Sequence, residues 1–127
     1  MTERETRVLL ADVAGAGQRA VAALLRSLPG VILVAEAGSI EELTREQRRA
    51  AVDVIVIDDR LLGALGLAPR DADVPVVVMG LDDDPSFARR AQRLGATDWI
   101  AKERADELLP PALECARRRR DTARPAI

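Results

Sequence analysis

Histidine is missing from this 127-residue chain altogether. That removes histidine-based catalytic triads, histidine metal ligands and histidine phosphotransfer carried within the chain. Tyrosine is also missing, and there is one Phe and one Trp, so the core must be aliphatic, built largely from Ala, Val and Leu. The lone Cys115 excludes an internal disulfide; it is expected to be a small buried or half-buried side chain without chemistry. No apolar run approaches the ~20 residues that span a bilayer. Met1 to Arg7 is charged and lacks a signal-peptide pattern. The chain is therefore expected to be soluble and cytoplasmic, with no membrane partner. Charge of one sign is not in excess either. Nineteen Lys and Arg stand against 21 Asp and Glu, a net charge of −2, so no global basic field argues for direct nucleic-acid binding.

What is present fits one domain with a single core, the hydrophobic fraction being 48%. Short apolar runs alternate with longer amphipathic segments, the pattern of β-α-β units and a parallel sheet. The strand candidates are Val8–Ala11, Val31–Ala35, Val54–Ile57, Val76–Met79 and Trp99–Ala101. After the first strand, Gln18–Leu28 carries Val21, Leu24, Leu25 and Leu28 at helical spacing and stops at Pro29-Gly30. Ser39 with Glu42 three residues later fits a capping box. Asp84-Pro85 reads as another helix start and Leu94-Gly95 as its end. Between Asp58 and Pro75, sixteen residues that include Gly63, Gly66 and Pro69 leave room for a shortened third helix only. The last helix, about Asp106 to Arg120, carries Pro110-Pro111, so it either starts late or bends there.

Function is expected at the carboxyl ends of the strands, where open parallel sheets bind ligands. Asp12 follows the first strand, Asp58 ends the third apolar run, and Lys102 follows the fifth. A lone charged residue after a strand is ordinarily a loop residue, but three at the ends of strands one, three and five form a constellation. An aspartate that accepts a phosphoryl group needs an exposed carboxylate, a divalent cation held by neighbouring acids, and a cation against the phosphoryl oxygens. Asp58 suits the first role and Lys102 the last. Asp12 suits Mg²⁺, which favours one or two carboxylates with several waters.

With these residues the chain resembles the receiver domain of two-component response regulators. The matching stretches are Arg7-Val-Leu-Leu-Ala-Asp12, Asp53-Val-Ile-Val-Ile-Asp58 and Gly95-Ala-Thr-Asp-Trp-Ile-Ala-Lys102. Val31-Ile-Leu-Val-Ala-Glu36-Ala37 looks like the second strand of the subfamily with helix-turn-helix DNA-binding outputs. The resemblance spans roughly Arg7 to Arg118. It implies a flavodoxin-like, doubly wound five-stranded parallel sheet of order 2-1-3-4-5, with residues 1–120 as receiver and 121–127 as tail or linker. It also implies Asp58 as phosphoacceptor beside Lys102, and Mg²⁺ held by Asp12, Asp58 and the backbone carbonyl of Arg60. Gly80 and Trp99 take the switch positions. The implied partners are a histidine kinase, an output domain or other protein, or a second copy. The implied role is signalling, not enzymatic turnover. Whether the domain stands alone or belongs to a longer regulator stays open.

The departures point to a degenerate member. The second acid after strand one is Val13, the hydroxyl residue after strand four is Gly80, and Leu62 and Glu103 replace two prolines. One carboxylate fewer weakens Mg²⁺ binding, and no hydroxyl at Gly80 leaves the loop after strand four uncoupled from a phosphoryl group. Asp82-Asp83-Asp84 reads as a solvated segment before a helix, with a substitute metal ligand as the alternative. The leading expectation is an atypical receiver acting through protein–protein contacts, with phosphorylation dependence weakened or absent; the alternative is a conventional Mg²⁺-dependent phosphoacceptor.

A third alternative rests on Gly15-Ala16-Gly17-Gln18-Arg19-Ala20, with Glu36 at 21 positions after Gly15, the spacing of a dinucleotide-binding turn. Asp12 beside such a turn opposes a pyrophosphate. Arg117 to Arg120 reads as a solvated helix end. Trp99 reads first as core packing, and otherwise as part of a contact face around strand five.

Overall fold

A computed structural model of the protein describes residues 5–61, 74–81, 86–93 and 95–123. Every expected strand forms, each a residue or more longer than its apolar run: β1 (Thr6–Ala11), β2 (Val31–Ala37), β3 (Val54–Asp58), β4 (Val76–Gly80) and β5 (Asp98–Ala101). They pair in parallel in the order β2-β1-β3-β4-β5. The flavodoxin-like sheet implied by the resemblance is thus present. β3 is buried from end to end, as expected of a parallel strand covered on both faces.

Among the described residues, four full helices cover the sheet: α1 (Ala16–Ser27), α2 (Ile40–Arg49), α3 (Ser86–Arg93) and α4 (Ala105–Ala123), the last preceded by a 3₁₀ turn at Lys102–Arg104. Because strand side chains alternate between faces, the core falls into two layers. Val8, Leu10, Val54 and Val56 meet Val21 and Leu25 of α1 and Leu109 and Leu113 of α4. Leu9, Ile55, Ile57 and Val78 meet Leu43 of α2 and Phe87 of α3.

Local signals held where side chain and backbone had to agree. The Ser39 hydroxyl accepts from the Glu42 N–H at 3.2 Å. The returning Glu42 carboxylate accepts from Gly38 N–H at 3.0 Å, one residue earlier than a capping box would place it. Gly95, with φ +78°, ends α3 as anticipated: its N–H reaches the Gln92 carbonyl and that of Ala96 the Ala91 carbonyl, the paired bonds of a Schellman end. The Asp84-Pro85 start and the segment with Leu62, Gly63, Gly66 and Pro69 lie outside the described residues; residues 59–61 open a helical turn.

One open alternative is closed and two expectations need correction. α4 does not start late: it runs from Ala105 through Pro110 and Pro111. Its buried stripe of Ala105, Leu109, Ala112, Leu113 and Ala116 is continuous across the prolines, and the carbonyls left without a proline N–H belong to the exposed Asp106 and Glu107. Trp99 is not a core residue. It is 37% exposed, on an edge strand, and belongs to neither core layer. Cys115 is exposed as well, because it falls off the stripe that α4 buries.

Replacing fully buried Leu109 by Ala should lower stability by ~2–5 kcal/mol through lost burial and a residual cavity. Ser39→Ala should cost only ~1 kcal/mol, the scale of one lost cap. Urea unfolding of both variants measures the difference.

Candidate functional site

β1 and β3 are neighbours, with Ala11 beside Ile57, so their carboxyl ends bring Asp12 and Asp58 together. Asp12 is fixed by its own N–H on the Ala37 carbonyl at 2.9 Å. Asp58 is the last residue of β3 itself. Both carboxylates are buried, and two like charges in one buried place require counter-charge. Lys102, directly after β5, supplies it: Nζ lies 2.7 Å from Asp12 Oδ2 and 2.8 Å from Asp58 Oδ2. The three residues singled out from sequence therefore converge on one crevice.

Arg60 enters the same crevice by its side chain. Its Nε donates to Asp58 Oδ1 at 2.9 Å, and Nη2 lies 3.3 Å from Asp12 Oδ1. The Arg60 backbone N–H also donates to Asp58 Oδ1, at 2.9 Å. Burial pushes the Asp58 carboxyl up, but the hydrogen bonds from Arg60 and Lys102 outweigh it and hold its pKa below the ordinary value of 3.8. Burial likewise pushes the Lys102 ammonium down, and its bonds to Asp12 and Asp58 reverse this, leaving it above its usual range. Asp58 and Lys102 therefore both stay charged at neutral pH.

Mg²⁺, which the resemblance implies, does not fit this arrangement. The second acid is absent at Val13, whose N–H instead donates to Asp12 Oδ1 at 2.7 Å. Arg60 and Lys102 occupy the carboxylate oxygens a cation would need. Among the described residues no group of three or more acidic, His or Cys side chains could hold a metal.

Gly80 closes the site on the β4 side. A Cβ built there would meet the Phe87 ring at 2.5 Å, so the aromatic fills the space that a hydroxyl-bearing side chain would take. Arg90, one turn further along α3, grips Asp59 with both Nε (3.1 Å) and Nη2. α3 is thus tied by packing to the end of β4 and by charge to the residue after Asp58.

The glycine turn after β1 lies against the same crevice. A Cβ on Gly17 would stand 3.4 Å from Lys102 Nζ, so a larger residue here would crowd the ammonium. Glu36, the acid of the dinucleotide spacing, is held by Gln18 and by Arg26, the latter at 2.7 Å, so its carboxylate is already committed.

No protein-family model and no curated protein matches the sequence. Solved structures do match. A two-component response regulator of the LuxR family from Aurantimonas sp. SI85-9A1 aligns at TM-score 0.79 and 24% identity, over 91% of this chain and 87% of that one. The signal receiver domain of the putative response regulator NarL from Mycobacterium tuberculosis aligns at 0.75 and 22%, over 90% and 98%. The RcsB response regulator of Salmonella typhimurium aligns at 0.78 and 15%, over 93% and 67%. The fold is that of response-regulator receiver domains.

Within the receiver fold, sequence reasoning located Asp12, Asp58, Lys102 and Gly80. It assigned Arg60 a backbone role only and missed its guanidinium, though an arginine two residues after a buried carboxylate was a signal in plain view. Phe87 and Arg90 were missed because their targets lie on other elements.

Two outcomes follow from this geometry. Asp58, with its folded-state pKa depressed, contributes stability that is complete above its unfolded value and lost as pH falls below about 4. Asp58→Asn should therefore flatten the acid side of the stability–pH curve, read by thermal unfolding across pH. Gly80→Ala should destabilise by ~1–3 kcal/mol through overpacking. The penalty should shrink when Phe87 is also replaced by Leu, giving a non-additive double-mutant cycle.

Proposed function

We propose that the chain is an atypical response-regulator receiver module that signals through protein–protein contacts, with its dependence on phosphorylation weakened or lost. One observation carries this: the Phe87 ring packs against Gly80. With no hydroxyl there and no space for one, position 80 has no side chain with which to sense a phosphoryl group on Asp58. The ion pair of Arg90 with Asp59 supports the same view, since it holds α3 in place with Asp58 unmodified.

Its partners, on this reading, are proteins: an output domain, a kinase or a second copy. Likeness in fold to a LuxR-family regulator favours an output domain. Exposed Leu81 and Trp99, at the β4–β5 side of the sheet, are the apolar residues best placed for such a contact. No described helix is long and apolar enough to cross a membrane, which accords with a cytoplasmic role. The module itself turns over no substrate.

A second reading keeps the phosphoacceptor chemistry, and the Lys102 ammonium at 2.8 Å from Asp58 favours it. In that reading Asp58 accepts a phosphoryl group while Lys102 balances its charge. Incubation with acetyl phosphate and Mg²⁺ separates the two by intact mass. The atypical reading expects no stable adduct and expects Asp58→Asn to bind a partner captured with the wild-type domain about as well as wild type does. One added phosphoryl group that Asp58→Asn abolishes, together with a large loss of partner binding in that variant, would overturn it in favour of the second.

A further inference from the structure

The carboxylate crevice holds its own cations. Asp12 and Asp58 contribute two negative charges, and Lys102 and Arg60 two positive ones, all within 3.5 Å. Each carboxylate oxygen has a donor. Asp12 Oδ1 accepts from Val13 N–H and Arg60 Nη2, and Asp12 Oδ2 from Lys102. Asp58 Oδ1 accepts from the Arg60 backbone and Nε, and Asp58 Oδ2 from Lys102 and, at 3.5 Å, Arg60 Nη2.

We propose that Arg60 is a resident counter-cation that stands in for a divalent metal and keeps one out of the crevice. Its guanidinium bridges the two carboxylates, as a metal shared by them would have to do. A planar fork with several N–H donors suits two carboxylates at once. The side chain needs little ordering to reach them, since its own backbone N–H is already fixed on Asp58.

The contact is a competitor rather than a permanent seal. The Arg60 side chain is 64% exposed while those of Asp12 and Asp58 are almost wholly covered. It lies over the mouth of the crevice, and a half-exposed ion pair is weak enough for the arginine to swing aside. Without it the crevice would carry one uncompensated negative charge, and Asp12 Oδ1 and Asp58 Oδ1 would keep only a backbone N–H each, leaving lone pairs for a hard cation. The residue two places after the strand-end aspartate thereby sets whether the site is metal-dependent.

This inference rests on reading the crevice as a receiver's phosphoacceptor pocket, but its test needs neither phosphodonor nor partner. Mg²⁺ is titrated calorimetrically into wild type, Arg60→Gln and Arg60→Gln/Asp12→Asn, with circular dichroism as a check on folding. Arg60→Gln should bind Mg²⁺ about five- to tenfold tighter than wild type, the scale of one charge-assisted contact removed. The added Asp12→Asn change should abolish the gain. Equal affinity in wild type and Arg60→Gln, whether measurable or nil, would overturn the proposal, as would a gain that survives Asp12→Asn. A phosphoryl adduct on Asp58, together with a large loss of partner binding in Asp58→Asn, would count against the proposed function and leave the titration unaffected.

Discussion

Two buried carboxylates at the ends of adjacent parallel strands set the terms for the rest of this molecule. Asp12 and Asp58 are almost fully covered, and unpaired they would be strongly destabilising. Their compensation comes from far along the chain: Lys102 is 90 residues from Asp12 and 44 from Asp58. One ammonium therefore ties the end of β5 to the ends of β1 and β3, and the crevice exists only when the whole sheet is in register. Arg60 adds a local cation, and the cluster ends up neutral. Neutrality has a chemical consequence as well as a structural one, because it removes the field that would draw in a metal ion.

The same end of the sheet is tightened from the α3 side. Phe87 packs where a Gly80 side chain would be, and Arg90 pairs with Asp59. Both contacts reach residues at or beside the carboxyl ends of β3 and β4, so α3 is docked against the same end of the sheet as the crevice. A switch needs an element with two arrangements of similar energy and a ligand that prefers one. Here packing and charge both favour one arrangement, and the side chain that would report a ligand is absent.

Much of this was legible in the chain because it depended on local or periodic signals. Short apolar runs marked all five strands, Ser39 marked a helix start, and Gly95 marked a helix end. Placing Asp12, Asp58 and Lys102 needed only the rule that parallel strands present their carboxyl ends together. What was not legible depended on side-chain direction. Whether Arg60 turns outward or back onto Asp58 is a rotamer choice made by the crevice. That Phe87 lies over Gly80 follows from how α3 docks, which no spacing encodes. Trp99 is exposed beside the buried Ile100 on the same edge strand, so its hydrophobicity alone does not fix its burial.

Substitutions that look like losses become coherent once the contacts are seen together. Val13 removes an acid, which leaves two carboxylates, a number that two basic side chains can neutralise. Arg60 then completes the charge balance that a metal would otherwise provide. Gly80 removes a hydroxyl, and Phe87 takes the space, so no cavity is left to destabilise the end of β4. Each missing polar group is matched by a neighbour that satisfies the charge or fills the volume. A site that had merely decayed would leave uncompensated charge or empty volume at these positions. The crevice instead has the self-sufficiency of a structural element, holding three strand ends together through its own ion pairs.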